Sequence, residues 1–583
     1  KMNGKIKKIL FVLLMVSIAF LVFYPNKLNR YVKRKFRTYA TTPNGTLEGI
    51  LFQKIELGER AKGHFTSLVI GPDNKLYAGA IDGKIMRFII QPSGDLLLEH
   101  TFKPFGNTSK LTIGLTLDPK SRPDSLIFWT THSETPTSWV KFVDEQKVLD
   151  NSTWAGTISR MHLSSSTDQV LKNDVVIKDL PRFGPNQENF TNSIIFGPDG
   201  KLYFGQGANT GMGWCDCEEN QSPSHEALLS GAILCLDPNK LPQKLPLSVK
   251  TIDGGGSYDP YQDLAPLKIY ATGLRNAYDL VWHSNGQLYT TINGSGGNEN
   301  TPTSDPESPY YITPNHNINY TGPKNIPAVM GAQPDQNDFM ARVEQGGYYG
   351  HPNPLRGEYV LNHGDADLDN FEYNGVEPDS NFRGFTYDFG PHIAPTGVTE
   401  CKSKMFDGRL KGCVLVARMG RNDMVVLRPG GIKNDIIKAY DGARMGLEVE
   451  SGPLDVVEDP NTGNLYVSQF GNKTIPLFHP IEKESDWLAH ERFNGPKEVK
   501  DPIEGGRLIY EQNCQICHGA EGQGAIGPNL VDGEWIYGKE NIVQIIENGS
   551  GKGTMPPWKN ILSTKEIKWV ENYVLSLGKI EGF

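Results

Sequence analysis

Ile194-Ile-Phe-Gly-Pro-Asp-Gly-Lys-Leu-Tyr203 reads as an apolar strand, a tight turn and the opening of a second strand. Asp-Gly between apolar runs marks a hairpin, because these residues tolerate positive φ at little cost. The same unit recurs as Leu68-Val-Ile-Gly-Pro-Asp-Asn-Lys-Leu-Tyr77 and as Leu280-Val-Trp-His-Ser-Asn-Gly-Gln-Leu-Tyr289. A further copy is Val456-Val-Glu-Asp-Pro-Asn-Thr-Gly-Asn-Leu-Tyr466, and degenerate copies occupy Leu115–Thr131 and Thr399–Ala417. Six copies of one hairpin at wide spacing predict radial blades rather than one continuous sheet. The fold expected over 41–480 is therefore an all-β six-bladed β-propeller, with long inserts near 133–190 and 295–335.

The rest of the chain fits around that core. At 583 residues it is too long for a single domain, and Gly 63 with Pro 39 favours many turns and short strands. Lys5, Lys7 and Lys8 precede an unbroken apolar run, Ile9 to Tyr24, which Pro25 ends. Residues 1–40 are read as an N-terminal hydrophobic anchor or signal helix. The run is followed by no small-x-small cleavage site, which favours an uncleaved anchor, with a cleaved export signal as the alternative. The first forty residues carry ten basic groups and no acidic one, which leaves 48 basic against 67 acidic residues, net −19, on the remainder. Such a body repels nucleic acid, so nucleic acid is excluded as a partner.

The strongest chemical signal lies near the C-terminus. Cys514-Gln-Ile-Cys517-His518 has the spacing by which two thiols on one helical turn attach a porphyrin and the next His ligates its iron. Gly527-Pro528-Asn529-Leu530 follows, and Gly553-Thr-Met555-Pro-Pro557-Trp558 offers a thioether for the opposite face of the metal. A His518/Met555 pair leaves no open iron position, which suits electron transfer. Before the motif, Ile503 to Asn513 reads as a short helix with Gly505 for close approach. After it, Thr564 to Leu577 places Ile567, Val570, Val574 and Leu577 on one helical face. The segment 503–583 resembles a class I cytochrome c, joined to the propeller by a linker over 481–502. That resemblance implies covalent haem c, and gives the Pro528 carbonyl the role of accepting the hydrogen bond of His518. Haem of this type is joined to the chain after export, which places the body on the periplasmic side of the membrane.

Three motifs in the propeller carry a second resemblance. Gly273-Leu-Arg275-Asn276-Ala-Tyr-Asp-Leu280, Asp338-Phe-Met-Ala-Arg-Val-Glu-Gln-Gly-Gly347-Tyr-Tyr-Gly-His351-Pro352 and Ile393-Ala-Pro-Thr-Gly397 together resemble the glucose/sorbosone dehydrogenase family. Those proteins are six-bladed propellers that use pyrroloquinoline quinone (PQQ), usually with calcium. The resemblance implies that Arg275 stabilises charge on a quinone oxygen, with Asn276 beside it. Other positions depart from the family's pattern. Its catalytic base, a His, is matched by Asn189, with Glu188 before it. Of its Arg-x-Arg-Asp, which grips the quinone carboxylates, only the Asp survives in Gly452-Pro-Leu-Asp455. Arg418 corresponds to the family's Lys near the quinone. His64 occupies in blade one the place that Asn189 holds in blade three, so it and Glu188 are the alternative bases. His132, His351 and His392 are read as mouth positions with structural roles. Asp365-x-Asp367-x-Asp369 opens like a calcium loop but lacks its Gly and Glu. Cys401 and Cys413 flank a hairpin that a disulfide would span, while Cys215, Cys217 and Cys235 leave one thiol over.

The function expected from these residues is a periplasmic quinohaemoprotein dehydrogenase. It would oxidise an aldose or related alcohol and pass electrons through its haem to a respiratory redox partner, with the N-terminal segment holding it to the membrane. The alternative is an electron carrier or ligand-binding propeller that has lost its quinone.

Overall fold

The computed structural model describes residues 47–135, 146–147, 154–181, 189–215, 225–296, 299–309, 325–332, 336–359, 379 and 381–481. It also describes 501–577 apart from 525–526, 533–534, 536–537, 551–554, 556, 560–561 and 563. The apolar run 9–24, Glu188, Cys217 and Asp365–Asp369 lie outside these residues. Among the described residues no helix is long and apolar enough to cross a membrane. The chain divides into two compact units between Pro480 and Ile481.

The first unit is a six-bladed β-propeller. Each quoted repeat forms the inner hairpin of one blade, and two further strands continue each sheet antiparallel; blade two adds at its edge a fifth, parallel strand, Leu247–Ser248. The inner strands are Phe65–Ile70, Leu111–Leu117, Thr191–Phe196, Asn276–Trp282, Pro395–Glu400 and Pro453–Glu458. The sixth sheet takes its outermost strand, Leu51–Ile55, from the start of the propeller, so the first and last segments close the ring. Asn74, Gly200 and Gly286 sit at the repeated turns with φ of 56°, 76° and 81°, as the turn chemistry requires.

One expectation needs correcting. The segment 133–190 is not simply an insert, since Gly156–Ser164 and Gln169–Leu180 are the third and fourth strands of blade two. Thr157 to Leu163 alternates as a strand should, but Ser164-Ser-Ser-Thr167 carries no Gly or Pro to announce the turn. By contrast, 295–335 does leave blade four, and Glu299–Thr301 pairs with Val329–Ala332 within it.

Every inner strand slips register at the same place. Within or beside these shifts stand Asp279, Asp455 and Ser67, whose side chains bond the inner strand of the next blade. Leu115 N–H donates to Ser67 Oγ at 3.2 Å, Val398 N–H to Asp279 Oδ2 at 2.8 Å, and Leu68 N–H to Asp455 Oδ2 at 2.6 Å. Around the axis these contacts are tight, and a Cβ on Gly397 would lie 2.5 Å from Asp455 Cα. Bulges here turn side chains from the ladder toward a neighbouring sheet.

The two axial carboxylates titrate unusually. Burial pushes Asp279 up to about 6, against the backbone N–H groups of Val398 and Leu280. Burial, and then the nearby Asp279 charge, push Asp455 well above the carboxylate range. A folded pKa above the unfolded one gives stability that is present at low pH and lost as pH rises through the folded value. Asp279→Asn removes that charge. Relative to the parent chain, its unfolding free energy should gain about 3 kcal/mol between pH 3 and pH 8, from a shift of about two units. Urea unfolding at the two pH values checks this, and a difference that does not change with pH contradicts it.

Cys401 and Cys413 are free buried thiols, not a disulfide, and Cys235 is also free. Burial pushes Cys413 up to about 11 and Cys401 well above the ordinary thiol value, so both stay protonated and inert. Cys215 is disulfide-bonded.

Candidate active site and haem centre

Strand direction decides which face of the propeller carries the site. In an antiparallel four-stranded blade, the first and third strands run one way and the second and fourth return. The repeated turns therefore lie on one face. The opposite face, the mouth, gathers the starts of inner strands, the ends of second strands and the loops that follow them. His64, Asn189, Arg275 and His392 precede inner strands, while His132 and Arg418 end second strands. All six sequence candidates thus share the mouth.

The mouth has an apolar floor. Ile81, Leu111, Ile113 and Phe190 form one buried cluster with Tyr278 and Phe470 packed against it, so five of the six blades contribute. The His64 ring lies 4.9 Å from that of Phe470. Beside the floor, a narrow crevice is lined by Leu111, Ile113, His132 and Phe190 among others.

Arg275 is the half-buried cation of this rim. Its Nη1 donates to Gly294 O at 3.0 Å, and its backbone carbonyl accepts from Ala208 N–H at 2.7 Å. Gly294 N–H in turn donates to Asp338 Oδ1, whose Oδ2 accepts from Ala394 N–H. Asn276 is buried and accepts from Asn192 Nδ2 at 2.7 Å. The two motifs flanking it dock directly, since His351 N–H donates to Gly273 O at 2.9 Å.

The remaining candidates divide. Asn189 is buried with its amide donating to Ala208 O at 3.3 Å, and an amide does not serve as a base. Arg418 lies at the mouth, but Asp423 binds it bidentately at 2.7 and 2.6 Å. Its guanidinium is therefore occupied within its own hairpin rather than presented to a ligand. His132 Nε2 is 2.8 Å from Ser159 Oγ, and burial, with the Lys110 charge, pushes the imidazole down to about 3, so it is neutral. His392 is exposed, with φ of 53°. Sequence reasoning did not find Glu226 or Ser295 as parts of the site, because nothing local marks a buried acid or serine in a loop, and it gave Asp338, which opens a quoted motif, no role of its own.

These residues fit part of a quinone cofactor. The aromatic and aliphatic floor suits a flat ring, and Arg275 suits a reducible carbonyl. Gly452 and Leu454 offer no cation for ring carboxylates, and Arg418 is held by Asp423. Among the described residues no group of three or more His, Cys, Asp or Glu side chains is placed to hold a metal ion.

Among the described residues the second unit has four α-helices: α1 (Pro502–Asn513), α2 (Gln515–His518), α3 (Ile542–Asn548) and α4 (Thr564–Leu577). Asp501 caps α1 by accepting from Ile503 N–H, with Pro502 in its first turn. Helices α1 and α4 cross at Gly505 and Gly506, over a core of Ile509, Ile546, Val570 and Val574. A Cβ on Gly505 would lie 2.3 Å from the Trp569 ring, and one on Gly506 would lie 2.0 Å from Trp569 O. Gly506→Val therefore forces the helices apart at rigid backbone. We expect it to cost on the order of 3 kcal/mol and to lower the melting temperature of this unit. An unchanged melting curve contradicts the close crossing.

The donor set fits haem c. His518 Nδ1–H donates to Pro528 O at 2.9 Å, as the sequence anticipates, which fixes the tautomer and leaves Nε2 for iron. Gly524 N–H donates to His518 O at 2.8 Å and Leu530 N–H to Gly522 O at 2.7 Å, folding the Pro528 loop back over the histidine. Met555 is fixed by reciprocal bonds with Ser550, at 3.2 Å to its carbonyl and 3.1 Å from its N–H. Cys514 is half-buried.

Comparison with known proteins agrees with this geometry. Residues 501–574 match the family described as Cytochrome C oxidase, cbb3-type, subunit III. The C-terminal unit is a cytochrome c domain of that type, fused to a six-bladed β-propeller. Over 159 residues the chain is 30% identical to the cbb3-type cytochrome c oxidase subunit CcoP of Azospirillum sp. (strain B510), covering 26% of this chain and 50% of that protein. Over 78 residues it is 47% identical to the cbb3-type cytochrome c oxidase subunit FixP of Azorhizobium caulinodans, covering 12% and 26%. The chain thus spans about half the length, or less, of the curated relatives it matches. The propeller is similar to a putative oxidoreductase (glucose dehydrogenase) of Thermus thermophilus, at 17% identity and TM-score 0.44, covering 74% of this chain and all of that one. It is also similar to the PQQ-bound aldose sugar dehydrogenase of Streptomyces coelicolor, at 15% identity and TM-score 0.44, covering 76% and all. At that level of likeness no substrate, cofactor or residue role passes to this chain.

Proposed function

We propose that this chain is a quinohaemoprotein dehydrogenase of the periplasmic side of the membrane, oxidising an aldose or related alcohol. One observation carries the reading. Arg275 is fixed at the rim of an aromatic-floored mouth, in a chain whose cytochrome c domain also offers His518 and Met555 to a haem iron. A mouth that only bound a ligand would have no use for an electron exit.

PQQ is the quinone this reading favours; when bound, it supplies two-electron chemistry, and haem supplies one-electron steps. The Arg275 guanidinium would hold positive charge toward a bound quinone, and electrostatic stabilisation of that kind is a large term in catalysis. Phe190 and Phe470 exclude water from the floor. Asn276, tied to Asn192, fixes the strand that carries Arg275. The hydroxyl proton would go to His64 or to Glu188, since Asn189 has no basic atom and His132 is buried against Ser159. Calcium has no ligand set among the described residues and enters the assay only as a supplement.

A specific observation favours the alternative of a carrier that has lost its quinone: the bidentate Arg418–Asp423 pair removes a cation from the mouth. The two readings separate on whether added PQQ lets a sugar or alcohol reduce the haem of the full-length protein.

A further inference from the structure

Below the mouth lies a buried polar chain that neither resemblance assigns. His351 Nε2 is 3.0 Å from Glu226 Oε1, and His351 Nδ1 is 2.8 Å from Ser295 Oγ. The three side chains are 1%, 0% and 1% exposed. Their order is that of a hydrolase Ser-His-Glu triad, but the serine is sealed from solvent and is not a nucleophile here.

The protonation of the chain follows from its partners. Burial alone would raise Glu226, yet hydrogen bonds from His351, Ser230 and Thr210 hold it below the usual carboxylate range. It also accepts from Asn209 N–H and Thr210 N–H, both at 2.8 Å. A carboxylate with so many donors is an ionised acceptor. Burial lowers His351 against the pull of Glu226, so the imidazole is neutral and carries a single N–H. That proton must sit on Nε2, facing the carboxylate. Nδ1 is then an acceptor, and the Ser295 hydroxyl must donate to it.

This fixes the segment that holds Arg275. Ser295 is anchored through its side chain to His351 and through its N–H to Gln336 Oε1 at 3.1 Å. The residue before it, Gly294, supplies the carbonyl that receives Arg275 Nη1. On the other side, His351 N–H grips Gly273 O, two residues before Arg275. His351 therefore holds both the segment that leads into Arg275 and, through Ser295, the carbonyl that aims it.

We propose that the Ser295–His351–Glu226 chain sets the position of Arg275, making Ser295 and His351 positioning residues. The inference rests on the dehydrogenase reading for its catalytic meaning, while the geometry it asserts does not. Groups aimed at developing charge lose most of their effect when displaced by a fraction of an ångström.

Two measurements on the full-length haem protein test it. Phenylglyoxal modification of individual arginines, followed by peptide mass spectrometry, reads Arg275 with no cofactor present. In Ser295→Ala and in His351→Gln, Arg275 should react about tenfold faster than in the parent chain. Arg356, buried nearby on Leu228 O and Ser230 O, should react at its parental rate. An unchanged Arg275 rate overturns the proposal, and so does equal acceleration of Arg356, which reports general loosening. The second measurement is a double-mutant cycle on substrate-dependent haem reduction with added PQQ and calcium. Ser295→Ala should lower kcat about tenfold with KM unchanged in the parent background, and have no further effect in Arg275→Ala. The same factor in both backgrounds overturns the positioning role. If the parent chain shows no PQQ-dependent turnover while the Arg275 reactivity shifts as stated, the dehydrogenase reading fails and the positioning of Arg275 stands.

Discussion

The Cys514→Ala/Cys517→Ala double variant is expected to lose all haem on acid-acetone extraction, whereas the parent chain keeps one haem on the polypeptide. The expectation follows from the single Cys-x-x-Cys-His motif and from the His518 tautomer fixed by Pro528. Thioether bonds resist acid, while ligand bonds to iron do not. Met555→Ala keeps those covalent bonds and removes the thioether ligand, which raises the potential in His/Met centres. Its haem should stay attached while its potential falls and its spectrum changes. If extraction strips the parent chain, or Met555→Ala leaves the spectrum unaltered, the ligand set is wrong.

Arg275→Ala is expected to lower substrate-dependent haem reduction by about 10²–10³, the scale seen when one preorganised donor to developing charge is removed. The loss should fall on kcat more than on KM, because the guanidinium is aimed at charge that appears only as electrons arrive. Reduction of the same variant by dithionite should be normal, since the haem unit is untouched. Equal loss in both assays would mean that the substitution had damaged the protein rather than the chemistry.

Much of the fold was legible because its signals are local. Gly-Pro-Asp-Gly and its relatives mark the inner hairpin of every blade, and two apolar strands flank each. What failed to announce itself was non-local or lacked turn residues. Leu51–Ile55 closes blade six by pairing with a strand more than 400 residues away, which no periodicity could reveal. The outer strands of blade two were hidden behind a Ser-rich turn. In the haem unit, Gly505 and Pro528 could be given roles from sequence because the pattern of the whole segment is compact.

The mouth was legible only in part. Arg275 and Asn276 stand in a motif, and their setting on Gly294 and Asn192 follows it. Arg418 reads in sequence as the counterpart of the family's Lys near the quinone, and only the structure shows it occupied by Asp423. Glu226, Ser295 and His351 are brought together across 125 and 56 residues of chain, and Glu226 lies in Ser224-His-Glu-Ala227, which has no motif at all. The raised pKa of Asp279 likewise depends on burial around the axis that its apolar neighbours alone do not disclose.

The central claim, that the propeller delivers substrate electrons to its own haem, is tested most directly by one spectrum. The oxidised full-length protein is given PQQ and calcium, then a panel of aldoses and alcohols, and the haem absorption is followed. The account predicts that at least one substrate reduces the haem, that omission of PQQ prevents it, and that Arg275→Ala slows it by at least about 10². If PQQ does not bind and no substrate reduces the haem, while dithionite does, the quinoprotein account is contradicted and the chain is a carrier or binding module.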